Sequence, residues 1–240
     1  MRSNKRTYLS RFFILICCLL SAIYSSGQIE VSSGIDVHYP VLMNSNNNKL
    51  DYGQFSFGLK VGVAYKPPET QFFPILNLSL GRTRLPLVDF GSNNVAALNF
   101  NYIDVMLNEN YIVRFPNSQL FIYGGIGFTD LTQKGLKLLG TGAEMMASSI
   151  DSTKNINHAF PAVNLGFEYN SGASVDKDLY LTIGINFQYI LLLSERNTYY
   201  LSIKDQSGVT KHYSPSLTGN VISPGFYIAI HYLLPSFKKG

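Results

Sequence analysis

The chain has 240 residues, with 19 Lys and Arg against 15 Asp and Glu, 4 His, 2 Cys and no Trp. Arg2, Lys5, Arg6 and Arg11 all lie in the first 27 residues, which hold no acid, so the remainder carries 15 basic and 15 acidic residues and is formally neutral. Neutrality removes any basic patch for nucleic acid. Both cysteines also fall in the first 27 residues, which excludes disulfides, thiolate metal sites and cysteine nucleophiles from the rest.

At the N-terminus the four cations precede an apolar run over 12–23 and the small residues Ser25, Ser26 and Gly27. A basic start, an apolar stretch shorter than the about 20 residues of a membrane-spanning helix, and a small-residue end together describe a secretory signal peptide. Cleavage is expected between Gly27 and Gln28. Cys17 and Cys18 do not read as lipid-attachment sites, because Ile16 and Cys17 precede them where a small residue is needed. The predicted plan is a signal peptide over 1–27 and one domain over 28–240. No helical period follows the leader, so that domain is all-β.

Alternation and turn residues predict eight strands. The first, 29–39, places Ile29, Val31, Ile35, Val37 and Tyr39 on one face. In the second, 52–66, Phe55, Phe57, Leu59, Val61, Val63 and Tyr65 alternate with Gln54, Ser56, Gly58, Lys60, Gly62 and Ala64. Pro67 and Pro68 end it, since proline cannot donate to a ladder. The third, 72–82, turns Leu76, Leu78 and Leu80 to one side. The fourth, 95–115, carries Ile103, Val105, Leu107, Tyr111 and Val113 on one face but Leu98, Phe100 and Tyr102 on the other, which predicts a bulge or a section outside the membrane. The fifth and sixth cover 120–130 and 160–169. The seventh, 179–193, has Leu, Ile, Phe or Tyr at every odd position, long enough to cross a bilayer, for which a tilted strand needs about 9–11 residues. The eighth covers 221–234.

The connections alternate in length. Long loops are expected at 40–51, 85–94, 131–159 and 195–220, and short turns at 67–70, 116–118 and 172–177. An even strand number with both termini on the short-turn side is the arrangement of bacterial outer-membrane barrels, with the long loops extracellular. A soluble eight-stranded barrel such as a lipocalin shares the alternation, and the polar face separates the two. That face holds Gly58, Gly62, Gly81, Gly125, Gly127, Gly166 and Gly184 among Ser and Asn, which suits a crowded lumen better than a solvated exterior. Tyr39, Tyr65, Phe72, Phe115, Phe128, Tyr169, Tyr189 and Tyr232 fall at strand ends, where interfacial girdles form.

The small residue before Gln28, Tyr-Ile-Asp-Val-Met-Leu at 102–107, Tyr-Gly-Gly-Ile-Gly-Phe at 123–128 and Gly-Phe-Tyr-Ile-Ala-Ile-His-Tyr at 225–232 together resemble the small outer-membrane barrels of Bacteroidota. That group is similar in architecture to the OmpA transmembrane domain and to PorT-like proteins. The resemblance implies an integral outer-membrane location, lipid contact and insertion by the barrel-assembly machinery. It carries no activity, and no peptidoglycan-binding segment follows the barrel pattern.

Asp36, Lys60, Asp104 and Glu168 are the charges expected inside the lumen, with Arg82 near an outer end. An unpaired charge there is costly, so Lys60 is expected among the carboxylates as part of a structural polar network. His38, His158, His212 and His231 show no HxxxH or HExxH spacing, and no catalytic, cofactor or metal site is expected. Leu136, Leu138, Leu139, Met145, Met146 and Ile150 are unusually apolar for a loop. They suit either a lid folded over the barrel mouth, with a short helix over 142–149, or a partner contact. A hairpin is expected from Tyr199–Ile203 and Val209–Tyr213 around Asp205, Gln206, Ser207 and Gly208. The expected role is non-enzymatic, structural or interaction-based, acting through loops 131–159 and 195–220 on an extracellular protein partner. A barrel enzyme acting on lipid or peptide, and a narrow transport or secretion component, are the alternatives.

Overall fold

The computed structural model describes residues 28–43, 55–67, 70–89, 95–139, 146–152, 157–176, 178–192, 197–204, 210–214, 216–217 and 219–234. The predicted signal peptide and the hairpin tip at 205–209 lie outside them. The strands, in chain order, are β1 (Gln28–His38), β2 (Val41–Met43), β3 (Ser56–Lys66), β4 (Phe72–Asp89), β5 (Val95–Phe115), β6 (Ser118–Leu139), β7 (Met146–Ser152), β8 (Asn157–Asp176), β9 (Leu179–Ile190), β10 (Asn197–Lys204), β11 (Thr210–Tyr213), β12 (Ser216–Leu217) and β13 (Asn220–Leu233).

Eight of these, β1-β3-β4-β5-β6-β8-β9-β13, pair antiparallel with their neighbours, and β13 pairs back onto β1 from Leu233↔Glu30 to Gly225↔His38. The sheet is therefore a closed barrel without a free edge. Closure satisfies every ladder internally, which a β-structure in hydrocarbon requires. The alternation dictates which face goes where. In β9 every even residue from Tyr180 to Ile190 is buried, while Leu181, Ile183, Ile185 and Phe187 are exposed. The same holds for Leu59 and Val61 on β3, Leu78 and Leu80 on β4, and Ile228 and Ile230 on β13. Soluble proteins rarely expose apolar patches beyond a few hundred Å². A belt around the barrel belongs in hydrocarbon, and the odd residues 179–189 of β9, at ~3.3 Å per residue and a tilt of ~40°, rise about 25 Å.

Several connections are shorter than the sequence suggests because the strands run on past the apolar belt. β4 extends to Asp89 and β5 begins at Val95, so the first half of the expected loop at 85–94 is strand. β6 runs to Leu139 and β8 begins at Asn157, which places Leu136, Leu138 and Leu139 in a strand paired with β5. At the opposite end β8 continues to Asp176, through register shifts after Asn170 and Ser174, into the expected turn at 172–177. Beyond the belt the backbone still needs hydrogen-bond partners, and the neighbouring strand supplies them. In β5, Leu98, Phe100 and Tyr102 stay in phase with inward-facing Asp104 and Met106, all buried. The expected bulge is instead on its partners: Leu87 of β4 and a residue of β6 opposite Asn99 are the extra ones.

Of the expected helix at 142–149, residues 142–145 lie outside the described residues and 146–149 are extended instead. Residues 146–152 are strand β7, which pairs with β10 from Ser152↔Tyr199 to Met146↔Lys204. Cross-loop pairing with an available strand outcompetes a local helix too short to be stable alone. β10 also pairs with β11, from Leu201↔Tyr213 to Lys204↔Thr210, which is the expected hairpin. β12 joins it at Thr198↔Ser216. The two loops named in the sequence as the working surface are thus joined to each other in one four-stranded sheet at the long-loop end.

Candidate functional site in the lumen and at the outer end

Strand parity places all four expected residues on the inner face. Asp36, Asp104 and Glu168 are buried and Lys60 is partly buried. They do not form one cluster. Glu168 accepts a hydrogen bond from Tyr227 Oη at 2.7 Å and another from Thr182 Oγ1, and its Oε1 lies 2.5 Å from His231 Nε2. Lys60 sits over the Tyr227 ring, 3.9 Å from its centroid, and faces both Glu168 and Asp36 electrostatically. It thus lies between two carboxylates. Asp36 lies further out, 2.8 Å from His38 Nε2, with Tyr102 Oη at 3.5 Å. Asp104 is near the pair of Thr129 and Gln188, whose Nε2 donates to Thr129 Oγ1 at 3.0 Å.

Five further groups, none assigned to the lumen from sequence, complete the network. Glu30 is almost fully buried and pairs with Lys66. His231 bridges the two carboxylates, its Nδ1 2.9 Å from Glu30 Oε1. Tyr180 stacks on His231 at 4.8 Å with an 11° interplanar angle, and its hydroxyl donates to Glu30. His38, the fifth, holds Asp36. Glu30 and His38 share the parity of Asp36 on β1, and Lys66 that of Lys60 on β3, so the same alternation marks all of them as lumen residues. Arg82 differs from expectation. It lies on the outer wall, exposed, because Gly81 and Thr83 take the inner positions of β4.

Apolar groups close both ends of this network. Toward the short turns Ala64, Phe73, Ile75, Ile112, Phe121 and Tyr180 pack together, with Lys66 over the Phe73 ring. At the outer end Leu85, Leu98, Phe100, Leu131, Phe160 and Val221 form a larger cluster, joined by Leu42 of β2, which continues the β1–β13 ladder in the same register. Among the described residues, one cavity of about 20 Å³ lies beside His38, Asp104 and Gln188, and another of about 10 Å³ between Lys60, Asn77, Asn110 and His231. Each is about the size of one water. Among the described residues no group of three or more His, Cys, Asp or Glu is arranged to hold a metal ion.

No protein-family model matches the chain, and no curated protein matches it in sequence. Solved structures do. Neisserial surface protein A aligns with a TM-score of 0.51 at 7% identity, over 85% of this chain and 96% of that one. A major outer membrane protein from Thermus thermophilus aligns at 0.48 and 11% identity over 87% and 100%, and the outer membrane protein OprG from Pseudomonas aeruginosa at 0.46 and 10% over 88% and 97%. Of these three the first carries the comparison, and at its low identity it shows a shared fold alone. The chain is a closed eight-stranded antiparallel barrel of the outer-membrane type.

Proposed function

We propose that this protein is an integral outer-membrane barrel without enzymatic activity that works through its extracellular face, where β7, β10, β11 and β12 present one surface to a protein partner. The observation that carries the reading is the union of two sequence-distant loops into a single sheet at the end where an apolar cluster seals the lumen. Rigid scaffolds that display ordered loops are a recurrent basis for recognition. Pairing between loops also lowers the ordering cost of binding, since the strands are already fixed. Cavities of one-water size argue against a solute path, and the charged side chains of the inner half are satisfied by one another. The group that would have to serve a hydrolase, His38 with Asp36, lies buried beside Ser56, whose hydroxyl donates to Thr83 at 2.9 Å.

Deletion of 204–209 in the full chain tests the proposal. Barrel folding, read as heat-dependent mobility on a denaturing gel, should be unchanged, because Lys204, the described residue of this segment, pairs with β7 and β11 and with no barrel strand. The cell-surface phenotype of a null strain should then not be complemented by the deleted form. Full complementation would remove the sheet from the function.

A further inference from the structure

On one sector of the outer wall the apolar rows stop abruptly. Outward from the row of Leu59, Leu80 and Ile103, the next wall residues are Phe57, Arg82 and Asn101, paired in that order across β3, β4 and β5. The row after holds Arg84 and Asn99. Here the β6 bulge intervenes: Lys134 and Gly135 together oppose Asn99, while Gln133 already pairs with Phe100. Gly135 has φ 148°, a backbone region that side chains with a Cβ rarely adopt, so the bulge is built on glycine. Such bulges re-aim a side chain, and this one brings Lys134 to the wall beside the two arginines.

Arg82 and Lys134 are exposed, and Arg84 is held against the strand by Nε donating to Asn99 Oδ1 at 2.9 Å. These three cations, with Phe55 and Phe57, border an open groove of about 990 Å³. The two phenylalanines are 68% and 63% exposed, among the barest apolar side chains of the barrel. No salt bridge to Arg82 or Lys134 forms among the described residues. The outward acid of this sector, Asp130, pairs with Ile103 in the row below.

A soluble anion would use the cations and leave the phenylalanines bare. A neutral lipid would do the reverse. The geometry points to a binding site for a phosphorylated lipid of the outer leaflet, its phosphate held by Arg82, Arg84 and Lys134 and its acyl chains lying on Phe57, Phe55 and Leu80. Arginine suits this role because its planar fork can hold two phosphate oxygens at once. The cations stand where the hydrocarbon rows end, which is the depth of the headgroups. The site rests on the membrane placement proposed above and is independent of any protein partner at the outer sheet.

Equilibrium binding to the full folded barrel in zwitterionic detergent tests it. The probe is fluorescently labelled hexa-acylated, bisphosphorylated lipid A, compared with its dephosphorylated form and with inorganic pyrophosphate as competitor. One bisphosphorylated lipid should bind per barrel. At roughly fivefold per cation, Arg82→Gln, Arg84→Gln and Lys134→Gln together should weaken binding about 100-fold. Arg114→Gln, at an exposed cation of the opposite rim, should leave it unchanged. Should the triple variant not fold, Lys134→Gln alone should give the fivefold loss, and Arg82→Lys with Arg84→Lys, which keeps the charge but not the fork, should bind more tightly than Arg82→Gln with Arg84→Gln. Equal affinity for the dephosphorylated lipid, insensitivity to the glutamine variants, or pyrophosphate binding as tightly as the lipid would overturn the site. A failure of the membrane placement reads differently: the protein would stay folded and monodisperse without detergent.

Discussion

Glu168 meets side chains from β3, β9 and β13 at once, accepting from Thr182 and Tyr227 while facing Lys60 and His231. Removing its carboxylate leaves buried cationic and donor groups without their acceptor, the situation in which a broken buried pair costs most. Glu168→Ala is expected to lower stability by about 3–5 kcal/mol, measured by urea unfolding in lipid vesicles, and a loss below about 1 kcal/mol would contradict the network. Gly184 provides a second test. A Cβ there would lie 2.3 Å from Tyr227 Cζ, so Gly184→Ala should cost about 1–3 kcal/mol by overpacking, and much less in a Tyr227→Leu background. Parity along single strands made Asp36, Lys60, Asp104 and Glu168 legible as inward groups. It equally marks Glu30, His38, Lys66 and His231, but their significance lies in contacts such as Glu30 to His231, which exist only because β1 closes on β13. Alternation along one strand does not encode which strands become neighbours.

At the scale of elements, β9 carries the clearest division between lipid and lumen. Ile185 is 48% exposed in the middle of the strand and Asn186 is buried beside it. Arg at the lipid-facing position should destabilise the barrel by about 2–4 kcal/mol, read by the same vesicle unfolding, and equal tolerance of Arg at Ile183, Ile185 and Phe187 would refute the assignment. The eight barrel strands were legible because one face had to be apolar and the other small or polar over their whole membrane-spanning length. Their outer extensions were not. Leu98 and Phe100 break that pattern because the outer lumen is itself apolar, and Asn99 and Asn101 break it because the wall there is past the hydrocarbon. The same reason hid β7: Met146–Ser152 has no periodicity of its own and takes strand form from pairing with β10, a segment some fifty residues later.

For the whole molecule, the account rests on one orientation. The extensions of β4, β5 and β6, the larger apolar cluster and the second sheet lie at one end, and the turn at Pro116 and Asn117 lies at the other. If recognition takes place at the long-loop end, that end must face outward from the cell. The measurement that tests this most directly is labelling of single cysteines by a membrane-impermeant thiol reagent in whole cells, in a chain whose strand region has no native cysteine. Thr210 on β11 and Asn117 in the short turn are both exposed, so either cysteine is reachable once its compartment is open. Thr210→Cys should react on intact cells, and Asn117→Cys only after the outer membrane is permeabilised. Labelling of Asn117→Cys on intact cells, with Thr210→Cys protected until permeabilisation, would place the second sheet in the periplasm and contradict the account.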